Sequence, residues 1–342
     1  MTRKKILFGS STTTFYFDAA FSYLEKIVSK ENTFLVTDTN VFAKHKKLFK
    51  AWNTIVLKAG EQYKIQQTVD VLIDQLIKMG ANRQSILIGV GGGVITDITG
   101  YAAGIFMRGI RFGLIPTSLL AMVDAAIGGK NGIDVGVYKN MVGLIRQPEF
   151  LLYDVSLLKS LPDAEWKNGF AEIIKHAAIK DAKMFAELEQ NAITKYKKDA
   201  NALASLIQRN AMIKIKVVVE DEFEKGDRKL LNFGHTLGHA IENMYELSHG
   251  QAISIGMTYA ALISAQLKFY KEAPRLISLL QKYGLPTIAD FDAKQAFKIL
   301  LKDKKGDGVS MHYILLEKTG KAVVQPILLV QLQEIFKQFK LS

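Results

Sequence analysis

Ser85-Ile-Leu-Ile-Gly-Val-Gly-Gly-Gly-Val-Ile-Thr-Asp97 joins an uninterrupted apolar run to three consecutive glycines and then to a helix-compatible segment. Residues 85–90 read as a strand buried on both faces, because apolar side chains do not alternate with polar ones. A helix is expected over residues 94–107. A strand that ends in glycines and opens a helix lets the backbone approach a pyrophosphate, while the helix's free N–H groups receive the anionic charge. This argues for a dinucleotide site. The pattern is not G-x-G-x-x-G, and a structural turn also accounts for three glycines.

The same alternation repeats outward from this unit. Residues 33–38, 54–57, 112–116 and 150–154 read as further strands and residues 69–79 as a helix, which together indicate βαβ units around a parallel sheet. Asp38, at a strand's carboxyl end, suits either a ribose hydroxyl or an ordinary helix cap. Beyond Leu157 long amphipathic segments follow one another, at 163–179, 184–190, 203–219, 232–245, 252–268 and 275–283, with a late hairpin at 311–316 and 322–324. The expected fold is α/β: an N-terminal domain over residues 1–157 with a parallel sheet and a dinucleotide site. A mainly helical metal- and substrate-binding domain is expected over residues 158–342, and the cleft between the two is the expected site.

A chain of 342 residues that is 49% hydrophobic can bury a full core. It contains no cysteine, so disulfides, thiolate ligands and a cysteine nucleophile are excluded. Lys plus Arg exceed Asp plus Glu by 45 − 33 = 12. The lysines are scattered and no zinc-finger, RRM or basic-zipper pattern accompanies them, so the excess suits an anionic small substrate or simply a lysine-rich surface, and not nucleic acid. The basic N-terminus is followed by a short mixed run without a secretory core, and no stretch approaches about eighteen uninterrupted apolar residues. A cytoplasmic protein without a membrane partner is expected.

The chemistry concentrates in Asn232-Phe-Gly-His-Thr-Leu-Gly-His-Ala-Ile-Glu-Asn243 and His249-Gly250, which gather three of the six histidines. His235 and His239 stand four apart and share a helix face. His249 is expected just past the helix end, where Gly250 permits a sharp return. Three imidazoles, or two with a carboxylate, hold zinc with a position open for substrate. The alternative is a set of solvated or core histidines. Thr236 stands where a zincin has its water-activating glutamate, which argues against peptide hydrolysis. The Gly-rich run from Ile115 to Asp134 carries Asp124 and Lys130, and with Lys139-Asn140 it reads as a binding loop. Glu172 and Lys175, three apart on an apolar helix, are either a solvated edge or a metal carboxylate beside a phosphate-binding lysine.

Taken together, these segments resemble the 3-dehydroquinate synthases of the sugar-phosphate cyclase superfamily, almost continuously from Asp38 to about Lys305. The motifs that carry the resemblance are Gly-Gly-Gly-Val-Ile-x-Asp, Phe-Met-Arg-Gly, Pro-Thr-Ser-Leu-Leu-Ala, Val-Asp-x-x-Ile-Gly-Gly-Lys, Lys-Asn-Met, Ala-Glu-Ile-Ile-Lys, Asn-Phe-Gly-His-Thr-Leu-Gly-His-Ala, His-Gly and Asp-Lys-Lys. The resemblance implies one zinc, with cobalt as a possible substitute, one NAD, and a homodimer. Carried over residue by residue, it makes Glu172, His235 and His249 the metal ligands, so that His239 becomes a substrate-site residue. It implies substrate contacts from Asp124, Lys130, Asn140, Lys175, Lys214, Arg228, Asn232, His239 and Lys304, with Arg108 reaching the substrate phosphate of a neighbouring subunit. Of these, Lys130, Lys175, His239, Asn232 and Arg228 are the implied catalytic set. NAD contacts are implied at Asp38, Asn40, Glu61, Lys64, Gly92, Gly93, Asp97, Thr117, Ser118, Lys139 and Ser160. Asn131, Asp134 and Gln251 depart from the common pattern, and His176 stands where tyrosine is frequent.

The implied reaction converts the seven-carbon acid phosphate 3-deoxy-D-arabino-heptulosonate 7-phosphate (DAHP) to 3-dehydroquinate and phosphate. It runs by transient oxidation with NAD, β-elimination of phosphate, reduction and an intramolecular aldol closure. A cyclase acting on sedoheptulose 7-phosphate to give a valiolone-type product is the nearest alternative. Arg228, Lys214 and Asp303-Lys304-Lys305 favour the acid substrate. A polyol dehydrogenase of the glycerol-dehydrogenase type and a non-catalytic basic binding protein are more distant ones.

Overall fold

In the computed structural model the non-alternating run before the glycines is the strand β5 of a seven-stranded sheet. The structure describes every residue except Val137, Asn243, Phe269, 303–308 and 339–342. In chain order the first part comprises β1 (Thr2–Phe8), β2 (Ser11–Phe17), β3 (Thr33–Asp38), α1 (Thr39–Phe49), β4 (Asn53–Leu57), α2 (Gln66–Lys78), β5 (Ile86–Gly91), α3 (Gly93–Ile105) and β6 (Arg111–Pro116). It continues with β7 (Lys130–Val135), β8 (Tyr138–Ile145) and β9 (Phe150–Tyr153). The helices α4 (Asp163–Lys180), α5 (Ala182–Gln190), α6 (Ile193–Lys198), α7 (Ala200–Glu220), α8 (His235–Glu242), α9 (His249–Lys268), α10 (Ala273–Lys282) and α11 (Ala293–Lys302) follow. A hairpin of β10 (Ser310–Lys318) and β11 (Lys321–Leu328) leads into α12 (Leu329–Gln338). The chain forms two compact units, Met1–Trp166 with Tyr196–Phe223, and Lys167–Lys195 with Glu224–Ser342. Both are discontinuous, because α7 belongs to the first unit. Among the described residues no helix is long and apolar enough to cross a membrane.

The strand order is β1-β2-β9-β6-β5-β3-β4. Strands β1 and β2 are antiparallel and the remaining neighbours are parallel. From β3 the chain crosses to β4 on one side, and from β5 it crosses to β6 on the other. The crevice of such a sheet opens where the direction reverses, at the carboxyl ends of β3 and β5. Thr37 pairs with Val90, so Asp38 and Gly91 end these strands side by side. On one face Ile86, Ile88 and Val90 pack with Leu35, Ile115, Leu152 and Phe49, each fully or nearly fully buried. Such side chains contribute about 1.5–3 kcal/mol each on leaving water. On the other face Gly89 lets α3 lie close, since a Cβ there would sit 2.7 Å from Thr99 Oγ1.

Two hairpins have no counterpart among the elements expected from sequence. One is β1–β2, where basic residues obscure the alternation. The other is β7–β8, cut from the Gly-rich run read as a binding loop. Asn131 fastens it: its Nδ2 donates to Gly129 O at 2.7 Å and to Arg146 O at 2.9 Å. Its Oδ1 occupies the space above Gly100 of α3, 1.8 Å from where a Cβ would stand. The departure at Asn131 is therefore matched by a glycine on the helix it faces.

In the second unit α4 is buried from Asn168 to Ile179 and α9 from Ala252 to Ser264 with Leu262 half-buried, which is more than the amphipathic reading of either segment implies. The helix expected over 232–245 is shorter. Asn232 ends the 3-10 turn Asp227–Asn232, and Gly234 at φ +80 breaks the chain before α8 begins at His235. Helix α9 begins at His249, three residues before the expected start at 252. Gly250 thus lies inside the first turn of α9 and is not a return past a helix end. Its missing side chain serves close approach, since a Cβ would lie 2.6 Å from Asn168 Cα.

Candidate active site

Glycines draw α8 and α9 together. A Cβ on Gly256 would stand 1.9 Å from Gly234 O, one on Gly234 2.5 Å from Met257 Cγ, and one on Gly238 2.8 Å from Ile253 Cδ1. This approach sets His235, at the start of α8, against His249, at the start of α9, with ring centroids 5.6 Å apart. Glu172 comes up from α4 and is fully buried. One donor atom from each of Glu172, His235 and His249 lies within 4.8 Å of the other two. Glu172 Oε1 is 3.2 Å from His249 Nε2 and 3.6 Å from His235 Nε2. An ion about 2.1 Å from each donor at tetrahedral angles separates donors by about 3.4 Å, so this set fits a zinc-sized cation with little movement.

The ring nitrogens are already assigned roles. His235 Nδ1 lies 3.2 Å from Phe233 O, an acceptor that holds the proton on Nδ1 and leaves the Nε2 lone pair toward Glu172. Burial, then the positive Lys175, lower the His235 pKa well below its ordinary value, so this imidazole is neutral. Burial alone would lower His249 too. Hydrogen bonds to Glu172 and Glu242 outweigh it and raise the pKa to about 9. Glu242 Oε2 stands 3.8 Å from His249 Nδ1, behind the nitrogen that faces Glu172. Lys175 pairs with Glu172, and at 1% and 0% exposure neither is a solvated edge. His239 has its ring centroid 5.1 Å from that of His235 and remains half-buried.

A proton on His249 competes with a cation, which fixes a pH dependence. Zinc affinity of the metal-free protein is expected to rise about tenfold per pH unit through the neutral range, levelling near pH 9. For folding the sign is opposite. The raised His249 pKa stabilises the metal-free fold fully below 6.5, the ordinary value, and that contribution is lost as pH rises through about 9. Chelator competition at several pH values checks the first statement, and an affinity independent of pH contradicts it.

In the first unit, Gly92 precedes α3 in an extended conformation and no side chain caps the helix. Its first N–H groups are thus available to an anion. Gly91 O accepts from Thr117 N at 2.9 Å, and Ser118 Oγ lies 3.4 Å from where a Gly92 Cβ would be. Gly92, Gly93, Thr117 and Ser118 therefore form one cradle. Asp38 caps α1 through Oδ1, which accepts from Asn40 N at 2.8 Å and Val41 N at 2.9 Å. The cap does not use Oδ2. Lys64, 5% exposed, bonds Asp97 Oδ2 at 2.5 Å and Asn140 Oδ1 at 2.6 Å. Burial lowers its pKa, but Asp97 and then Glu61 more than reverse this and keep it charged. Asp134 Oδ1 accepts from Asn140 N at 2.7 Å and so holds Asn140 in a left-handed conformation, φ +53. The departure at Asp134 organises this turn.

Lys214, on α7, reaches Asp124 Oδ1 and Asp124 O, both at 2.8 Å. Ser160 Oγ lies 2.7 Å from His45 Nε2. Asn40, Glu61, Arg108, Lys130 and Lys139 are exposed. In the second unit Arg228 is 2% exposed and Asn232 Nδ2 donates to Glu224 Oε1 at 2.5 Å. Lys304 lies outside the described residues. Two residues not singled out from sequence stand close to the donor set, Glu242 and Asn168. Glu242, seven residues before His249, carries no spacing signal for that contact. Gln251 completes a capping box at the start of α9, its Oε1 accepting from Ser248 N at 2.9 Å. Glutamine serves there as well as glutamate.

The family model described as 3-dehydroquinate synthase N-terminal matches residues 54–168, and that described as 3-dehydroquinate synthase C-terminal matches residues 169–306. A 3-dehydroquinate synthase of Leptospira interrogans is 37% identical over 311 residues, covering 88% of this chain and 86% of that protein. Among solved structures, a 2-deoxy-scyllo-inosose synthase complexed with carbaglucose-6-phosphate, NAD+ and Co2+ is 29% identical, with a TM-score of 0.87 over 98% of this chain and 99% of that one. A 2-epi-5-epi-valiolone synthase of Streptomyces hygroscopicus with NAD+ and Zn2+ bound shares the fold at 24% identity, with a TM-score of 0.86 over 99% and 97% of the two chains.

Proposed function

The chain belongs to the 3-dehydroquinate synthase family, and on that premise we propose that it is a cytoplasmic 3-dehydroquinate synthase of the shikimate pathway. As such it is a carbon–oxygen lyase, converting DAHP to 3-dehydroquinate and phosphate with the use of NAD and one zinc, or cobalt in its place. The observation that carries this reading is the set of Glu172, His235 and His249, the first two buried and the third half-buried, whose donors lie within 4.8 Å of one another. When bound, NAD would take up and return a hydride, and zinc would acidify the hydroxyl on the carbon from which that hydride leaves.

The chain's own residues bind and orient. Glu172, His235 and His249 hold the metal. The cradle of Gly92 and Gly93, with Asp38, Asn40, Glu61, Lys64, Asp97, Thr117, Ser118, Lys139 and Ser160, holds the dinucleotide. Lys175, paired with Glu172, offers its side-chain nitrogen to anionic oxygens of the substrate, and His239 holds or releases a proton next to the metal ligands. Asp124, Lys130, Asn140, Lys214, Arg228, Asn232 and Lys304 complete the substrate contacts. Supplied with DAHP, zinc and NAD far below the substrate concentration, the protein is expected to release phosphate over many turnovers per NAD. Net NADH formation matching product would make it a dehydrogenase and overturn the reading.

The homodimer is part of the proposal. Met107 and Arg108 both adopt left-handed conformations, φ +50 and +66, which are strained for residues with side chains. They turn a segment outward in which Ile105 and Met107 remain 39% and 40% exposed. Arg108 is expected to complete the phosphate site of a partner subunit. Mixing inactive Arg108→Ala protein with inactive Lys175→Ala protein should then restore part of the activity, since a hybrid dimer contains one site with both residues intact. No recovery in verified heterodimers would count against sharing.

A further inference from the structure

The ligands Glu172 and His249 come from helices far apart in sequence, so their separation depends on whatever fixes α9 against α4. Asn168, one turn before Glu172 on α4 and 6% exposed, has its Oδ1 at the first turn of α9. Ser248 Oγ donates to it at 2.7 Å and Gly250 N at 3.1 Å, the two residues that flank His249. Ser248 is in turn tied to Gln251 by the capping box, with Ser248 N donating to Gln251 Oε1 at 2.9 Å. Gly250 admits Asn168 because a side chain there would strike its Cα and Oδ1, at 2.6 and 2.8 Å. One carboxamide oxygen thus accepts from a side-chain hydroxyl on one side of a ligand and from a backbone N–H on the other, and it belongs to the helix that carries another ligand.

We propose that Asn168 is a positioning residue for the metal centre, setting His249 at its distance from Glu172 through Ser248 and Gly250. This rests on the metal reading given under Proposed function. Partners behind metal ligands typically change metal affinity by about 10–100-fold when removed. Asn168→Leu, close in size but without an acceptor, is expected to weaken zinc binding by about that factor in the folded protein. It should also alter the ligand-field spectrum of the cobalt-loaded protein. Asn168→Asp keeps an acceptor in the same place and should recover most of the affinity. Ser248→Ala, at a half-buried position, removes one of the two bonds and should give a smaller loss. Because both changes act on the same grip, the losses in the double variant should be less than additive.

Zinc affinity is read by chelator competition well below the unfolding temperature, alongside the thermal midpoint of each metal-free variant. A merely structural asparagine would lower the midpoint and leave the zinc affinity and cobalt spectrum of the folded protein unchanged, and that result overturns the proposal. If Asn168→Leu fails to fold, Ser248→Ala decides, with unchanged affinity and spectrum again the overturning result. Wild-type protein that binds no zinc would overturn the metal reading itself, and this proposal with it.

Discussion

Glu172→Gln is expected to abolish stoichiometric zinc binding and to lower DAHP turnover by more than the roughly 10–100-fold that loss of a partner behind a ligand brings. It should also destabilise the metal-free protein by about 3–5 kcal/mol, the usual cost of breaking a buried ion pair from one side. The stability effect follows from burial: Glu172 is 0% and Lys175 1% exposed, so the ammonium loses the carboxylate that neutralises it where water cannot substitute. His249 loses its closest carboxylate in the same change, and its pKa should fall from about 9. His239→Ala, in contrast, is expected to retain metal and lose turnover. Metal content, thermal unfolding of the metal-free protein and phosphate release separate these outcomes. Full zinc occupancy in Glu172→Gln would remove Glu172 from the donor set.

The parts of the fold legible in the sequence are those whose burial leaves a pattern. Strands β3 and β5 are buried on both faces and read as strands without polar alternation, the first a short apolar core between threonines and the second an unbroken apolar run, and the glycines that end β5 mark the turn into α3 directly. Strand β8 is exposed along nearly its whole length, so no alternation records it, and its partner β7 is disguised by Gly128, Gly129 and Gly132. The start of α8 was obscured because Phe233 and Leu237 keep an apolar period running through Gly234, whose left-handed φ only the backbone reveals. The site divides in the same way. Histidines announce themselves by residue type, and Glu172 entered through the family's Ala-Glu-Ile-Ile-Lys motif. Asn168 and Glu242 gain their interest only from which atoms they face, which no spacing encodes. Asn131, Asp134 and Gln251, which looked like departures, each make a specific contact that accommodates the change: against Gly100, to Asn140 N and to Ser248 N.

Substrate choice is expected to rest on Arg228. DAHP carries a carboxylate that sedoheptulose 7-phosphate lacks, so a site selective for DAHP needs a fixed cation of matching geometry beyond those that bind the phosphate. Of the two cations expected to serve, Lys214 is a point charge that also holds Asp124 at 2.8 Å, so the planar guanidinium is the one whose geometry matches a carboxylate. Arg228 is 2% exposed and offers a planar fork that grips a carboxylate through two parallel bonds. Hydrogen bonds to charged groups contribute about 1.5–3 kcal/mol each, so forfeiting even one costs at least about tenfold in kcat/KM. Arg228→Lys keeps the charge and loses the fork. It should therefore reduce kcat/KM for DAHP by about tenfold or more, while any residual reaction with sedoheptulose 7-phosphate changes much less. Equal losses on both substrates would place Arg228 at the phosphate or in the fold instead of at the carboxylate. Wild-type protein that cyclises sedoheptulose 7-phosphate with equal or better kcat/KM would transfer the chain's activity from dehydroquinate to valiolone-type synthesis, with the same proposed metal and dinucleotide sites serving either.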